Sequence, residues 1–315
     1  MKLRFRLPFF IGLLIFSYFG WDITAGAGKI ATAFELNADQ VVWNHLSYRA
    51  ESILGKVTTD VHLMAVPIEA GADLLMTDAA GEALQPSGST AFTLTVDSKI
   101  VPLIGSDEIL KTKSWFDPNN AAALQRVRLR LGKEKWQKSY RFTENGVLRH
   151  RTKPQDQRED KLPPQRWTKV KKAFYAYNSE GLKCPTVLEP SALLYLFSAI
   201  DFETQNLPLN LCIFNKKQLH RVNISLTGHR RMSVKYLEKA GGHQIRRDEK
   251  IEAVLLSIEP RALVTEDTQP ETFSFLGLKG KFEVYIDKNA HLPVQISGKI
   301  STFGQIDIKL QEVDF

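Results

Sequence analysis

The residues able to do chemistry in this chain are few, and their spacing excludes more than it offers. Cys184 and Cys212 are the whole thiol complement of 315 residues. In an oxidising compartment such an even pair closes as a disulfide, and two buried free thiols are the alternative. The pairing is reachable: a helix of about 12 residues runs roughly 18 Å, and the chain returning from Asp201 to Cys212 can span more than that. The seven histidines, His45, His62, His150, His220, His229, His243 and His291, are scattered. None falls in a His-x-x-x-His, HExxH or Cys-x-x-Cys context, so no metal site is expected. No GxSxG elbow, phosphate-binding loop or dinucleotide glycine pattern occurs either, and Gly277 to Gly280 reads as a turn. The expectation is a non-enzymatic protein without cofactor.

Charge is the stronger signal. Between Arg126 and Lys172 there are 16 Lys or Arg against 5 Asp or Glu, a net of +11, while the rest of a chain cut after Ala27 sums to −6. Arg126, Arg128 and Arg130 alternate with Val127, Leu129 and Leu131, and Lys135 and Arg141 continue the basic pattern beyond a turn. This predicts a basic sheet face made of Arg126, Arg128, Arg130, Lys135 and Arg141. The planar guanidinium fork grips phosphate or carboxylate with two hydrogen bonds. A solvated basic surface is the plainer reading of the same residues.

Trp136, Tyr140 and Phe142 recur at even spacing and are expected on the opposite, apolar face, with Lys138 the one exception. With Leu193 and Phe197 they are candidate lining for an apolar ligand cavity. The alternative is an ordinary β core, since aromatics are favoured on half-buried strands.

These residues need elements to hold them. The clearest is a helix expected over residues 190–201, where Leu193, Leu196, Phe197 and Ile200 share a face and Leu194 and Tyr195 make the other side apolar. Pro190 is expected as its first residue, with residues 186–189 as a turn. Most other segments alternate as strands. Examples are Val57, Val61 and Leu63, then Phe92, Leu94 and Val96, then Asn145-Gly146 turning into residues 147–151. Later strands are expected at 218–226, 232–237, 250–258, 281–287, 292–300 and 305–310, with Gly228 breaking the first two. Many antiparallel strands around one buried helix predict a mainly β fold: a strongly curved antiparallel sheet or incomplete barrel wrapped around that helix.

Residues 1–27 have a basic start, an apolar middle and Ala25-Gly26-Ala27, the pattern of a cleaved export signal, with Ala31-Thr32-Ala33 a second cleavage site. An uncleaved anchor is the alternative, although Pro8, Gly12 and Gly20 interrupt the run. The mature chain, 28–315, is then expected in the periplasm as a single β-rich domain, with 153–164 an exposed connection or subdivision point.

Several short motifs, in this order, carry a family likeness: Leu46-Ser47-Tyr48-Arg49-Ala50 with Gly55; Trp115-Phe116-Asp117-Pro118; the helix segment 188–202; Phe282-Glu283-Val284-Tyr285-Ile286-Asp287; His291-Leu292-Pro293-Val294-Gln295-Ile296; and Phe303-Gly304-Gln305-Ile306. The chain resembles exported proteins of domain of unknown function family 3108 across most of residues 34–315. That resemblance implies an extracytoplasmic β-rich protein and brings no catalytic residues. A looser likeness of fold is to periplasmic lipoprotein carriers, whose open barrel encloses helices.

Two functions are therefore expected. One is an envelope protein binding an apolar or acyl-bearing ligand between sheet and helix. The other is an interaction protein whose basic face meets anionic lipid, lipopolysaccharide or an acidic partner. Nucleic acid is not an expected partner of an exported chain.

Overall fold

The computed structural model describes residues 34–67, 83–264, 269–301 and 303–315; the export signal expected at 1–27 lies outside them. Among the described residues a short 3-10 turn (Ala38–Gln40) leads into a meander of eight strands. These are β1 (His45–Ser52), β2 (Gly55–Pro67), β3 (Thr90–Pro102), β4 (Glu108–Phe116), β5 (Ala123–Leu131), β6 (Trp136–Phe142), β7 (Gly146–Lys153) and β8 (Lys169–Ala176). The short β9 (Val187–Leu188) and one helix, α1 (Ala192–Ala199), follow. Then come β10 (Leu209–Asn215), β11 (Gln218–Ala240), β12 (His243–Ala262), β13 (Ser274–Phe275), β14 (Leu278–Asp287), β15 (Pro293–Ile300) and β16 (Gly304–Asp314). The fold is mainly β, as the alternation predicts.

The sixteen strands of the described residues join one sheet. Its order is β8, β7, β6, β5, β4, β3, β2, β1, β16, β15, β14, β12, β11, β10, β9, with β13 on β14. A parallel contact sets Leu237, Glu238 and Lys239 of β11 beside Glu312, Val313 and Asp314 of β16. This closes β11, β12, β14, β15 and β16 into a ring, while β8 and β9 remain the open ends, so the sheet is a partial barrel. The long β11 is continuous through Gly228. Sequence spacing predicted two strands there, but a bulge between Leu226 and Gly228 absorbs the irregularity, with Gly228 at φ +147°.

The helix is the centre of the core, as expected, and is shorter than predicted. Every residue from Ala192 to Ala199 is buried. The Ala192, Leu193 and Leu194 amides donate to carbonyls three residues back, so the turn around Pro190 is 3-10-like and regular helix starts two residues later than the proline suggested. Ile200 is already extended. Residues 187–188, expected in a turn, form a parallel pairing with β10 instead.

Side chains fill the space around α1. The Phe197 ring meets Phe275 edge-on at 6.2 Å, and Tyr195 lies 5.2 Å from Phe116 and 5.6 Å from Phe92. Two polar atoms are satisfied inside this core: Tyr195 Oη donates to Pro118 O at 2.9 Å, and Trp43 Nε1 donates to Ser198 Oγ at 2.9 Å. Burial of each large apolar side chain here stabilises by about 1.5–3 kcal/mol.

The Cys184–Cys212 disulfide is formed, with Cα atoms 6.0 Å apart. It ties the segment between β8 and α1 to β10. The strands β4 and β8 were not anticipated, because Glu108–Phe116 lacks clean alternation and Lys169–Ala176 is an exposed edge strand that mixes lysines with apolar residues on both faces.

Candidate functional site

The site is built by strand register. The β5–β6 pairing sets Arg126 opposite Tyr140, Arg128 opposite Lys138 and Arg130 opposite Trp136. Expected on opposite faces, the arginines and the aromatic residues therefore share one. The β6–β7 and β7–β8 pairings extend the rows, giving Arg126, Tyr140, Arg149, Ala173 in one and Arg128, Lys138, Arg151, Lys171 in the next. Four cations thus stand directly opposite one another across four adjacent strands.

This is the concave, inner face of the sheet. Tyr140, Phe142 and Tyr175 pack on Phe214 of β10 at centroid distances of 5.9–6.1 Å. The expected exposed basic face is therefore corrected. Arg126 is 2% exposed and lines an interior slot, while Lys135 and Arg141 fall on the other side of the sheet. Lys135 Nζ bonds Asp160 Oδ2 at 2.7 Å in the β7–β8 connection. Arg141 is buried too, its Nη1 donating to Leu124 O at 2.6 Å. Arg130 keeps a partner, Glu108, at 2.7 Å.

The candidate apolar ligand residues separate in the same way. Leu193, Phe197, Phe142 and Tyr140 are core packing residues of 0–1% exposure. Trp136, at 6%, sits among the cations, with Lys138 Nζ 4.2 Å and the Arg128 guanidinium 5.7 Å from its ring. The other guanidiniums are stacked likewise: Arg126 lies 4.6 Å from the Tyr140 ring and Arg149 5.2 Å from Tyr175. Such proximity stabilises a cation through the ring quadrupole.

One buried carboxylate answers the cluster. Glu189, just before α1, places Oε2 3.6 Å from Arg126 Nη1, and its Oε1 accepts from the Ala192 amide at 2.8 Å. Among the described residues Arg128, Lys138 and Arg151 have no carboxylate within ion-pair distance. Arg126 Nε and Nη2, Arg149 Nε, Arg151 Nε and Ser114 Oγ are buried without a hydrogen-bond partner. Desolvation, then the charge of Arg126, lowers the Arg128 pKa to about 10. Desolvation, then the charges of Arg128, Arg151, Arg149 and Arg126, lowers Lys138 to about 7.

Arg126 and Arg128 open onto a slot of about 90 Å³ between the sheet and the turn at Pro190 and Ser191. Val57, Val96, Ile100, Leu110, Phe275 and Ile300 supply its apolar walls. That volume corresponds to about three water molecules, enough for one small charged group and too little for an acyl chain. The edge strand β8 leaves Lys171 exposed, so the cation row runs from this slot to solvent.

Sequence reasoning missed Arg149, Arg151, Lys171 and Glu189. The signal was present in Lys138, which interrupts the aromatic series and marks that face as basic. Elsewhere, His45 lies near Glu312 and Asp314, the three offering ligand atoms within 4.8 Å of one another. Glu312 is already paired with the Lys239 ammonium there, so the group is an internal ion-pair network beside the ring closure.

No protein-family profile matches the sequence, and no curated protein matches it. Among solved structures, the chain is similar to the crystal structure of a β-barrel-like protein of domain of unknown function 1849 from Brucella abortus. The identity is 7% and the TM-score 0.41, over 85% of this chain and 97% of that one.

Proposed function

We propose that the chain is a non-enzymatic binding protein of the cell envelope that takes an anionic amphiphile onto the inner face of its sheet. One observation carries this reading: Arg128, Lys138, Arg151 and Lys171 stand in register across β5–β8 with no carboxylate within ion-pair distance among the described residues, Glu189 acting on Arg128 only from farther off. Like charges directly opposite destabilise a sheet unless an anion answers them. The apolar walls beside Arg126 and Arg128 suit hydrocarbon next to the anionic group. Because α1 sits in a filled core and the slot admits only the charged group and the carbons next to it, the rest of the ligand's apolar part stays outside both.

Export by cleavage within residues 1–33, residence in the periplasm and membership of family 3108 belong to the same proposal. They rest on the basic and apolar N-terminal pattern and on the ordered motifs from Leu46 to Ile306. The disulfide is compatible with an oxidising compartment.

The test is native mass spectrometry of protein purified from its own envelope. The expected result is a chain starting at Gly28 or Phe34, oxidised by two hydrogens, carrying an anionic adduct that Arg126→Gln with Arg128→Gln removes. A bare chain that also fails to bind decanoate or dodecyl phosphate at low salt would overturn the binding reading.

A further inference from the structure

The number and arrangement of donors on the inner face say which anion fits. A carboxylate has two oxygens and one charge, and one bidentate arginine satisfies it. Here the unpartnered N–H groups belong to several residues on two strands: Nε and Nη2 of Arg126 on β5, and Nε of Arg149 and of Arg151 on β7. Lys138 on β6 lies between them, directly opposite both Arg128 and Arg151. The Ser114 hydroxyl, opposite Arg126 on β4, adds a further buried donor. The guanidinium carbons of Arg126, Arg149 and Arg128 lie 4.6, 5.2 and 5.7 Å from the Tyr140, Tyr175 and Trp136 rings, which offer no acceptor in the ring plane to their N–H groups. A tetrahedral anion with three or more acceptor oxygens and two charges meets donors arriving from three strands, and a planar carboxylate does not.

Resting on the anionic-ligand reading above, we propose that the group held by Arg126, Arg128, Lys138, Arg149 and Arg151 is a phosphate ester, bound as its dianion. Glu189 takes no part in holding it; the carboxylate keeps Arg126 in place from the chain just before α1. Binding supplies counter-charge to the cations that otherwise face one another in register: Arg128 of β5, Lys138 of β6, Arg151 of β7 and Lys171 of β8. Lys138 is the group whose protonation responds, since its ammonium is opposed by the arginines around it and is stabilised by a dianion. Phosphate entry at pH 8 is therefore accompanied by proton uptake at Lys138 Nζ.

The experiment is isothermal titration of the mature chain at pH 8 and low salt with dodecyl phosphate, inorganic phosphate and decanoate, each below its micelle concentration. It is repeated in two buffers of different ionisation enthalpy. The expected result is 1:1 binding of dodecyl phosphate at least tenfold tighter than decanoate, with net proton uptake. Lys138→Gln with Arg151→Gln is expected to lose phosphate affinity at least tenfold and to abolish the uptake. The same variant should melt at a higher temperature than the parent, which also shows that it folds. Equal affinities for dodecyl phosphate and decanoate would overturn the phosphate assignment and leave the anionic-amphiphile reading standing. Inorganic phosphate binding as tightly as dodecyl phosphate would sustain the phosphate site and remove the amphiphile. No binding by any of the three ligands would end both.

Discussion

Arg126 Nη1 lies 3.6 Å from Glu189 Oε2, and both side chains are almost wholly shielded from solvent. Through this pair the inner face of β5 is joined to the first turn of the only α-helix among the described residues. A buried pair of this kind is weak evidence for stability, because desolvation offsets the attraction, but breaking it from one side leaves an uncompensated charge. Glu189→Gln retains an acceptor for the Ala192 amide and removes only the charge. It should destabilise the fold by about 3–5 kcal/mol, read from urea unfolding, with part of that recovered in millimolar phosphate. Arg126→Met with Glu189→Met should be the milder change. A Glu189→Gln protein within about 1 kcal/mol of the parent would show that Arg126 does not depend on this partner.

Removal of the covalent tie acts on the unfolded chain. Cys184 and Cys212 are 28 positions apart, and opening that loop by Cys184→Ser with Cys212→Ser should lower stability by about 3–4 kcal/mol in the chain-entropy account. The oxidised parent, denatured without reductant, should present no reactive thiol. Two titratable thiols per chain would remove the bond.

Phe197 distinguishes a packing role from a ligand role. Its side chain is fully buried against Phe275, so Phe197→Ala should destabilise by about 3–5 kcal/mol. Affinity for dodecyl phosphate should be unchanged at temperatures where the variant remains folded. A selective loss of affinity with stability intact would place Phe197 in the ligand site.

Lys138 gives a pH dependence whose sign follows from its lowered pKa. In the folded chain it loses its proton near pH 7, and in the unfolded chain near its ordinary value of 10.5. Between these the unfolded state binds more protons, so this group's contribution makes stability rise with pH from about 7 to 10.5. Below pH 7 the ammonium is charged in both states and its full burial penalty is present. Lys138→Gln should therefore stabilise most at pH 6, by about 1 kcal/mol after solvent screening, a shift of roughly 2–4 °C in melting temperature for a chain of this size. The gain should vanish above pH 10. Ligand affinity of the parent should move oppositely, weakening as pH rises through 7–8.

The sequence alone determined the mainly β architecture, the central apolar helix, the disulfide and the concentration of positive charge between Arg126 and Lys172, because each is a local signal. Period-two alternation fixes which residues of one strand share a side. Three- and four-residue spacing around Leu193 and Phe197 makes a helix apolar all round, and two cysteines have only each other to pair with. What the sequence left undecided was how the sides of neighbouring strands correspond. Arg130 faces Trp136 because the turn at Gly132–Lys135 sets an even register, and a slip of one residue would have put the aromatics on the face away from the arginines. That register is chosen by the packing of Tyr140, Phe142 and Tyr175 on Phe214, a residue in a distant strand, and by Glu189 waiting at the helix start. Only tertiary structure brings those partners together, and it turned Arg126 and Arg128 of the predicted basic face inward, Arg126 toward Glu189 and Arg128 into a row with Lys138, Arg151 and Lys171.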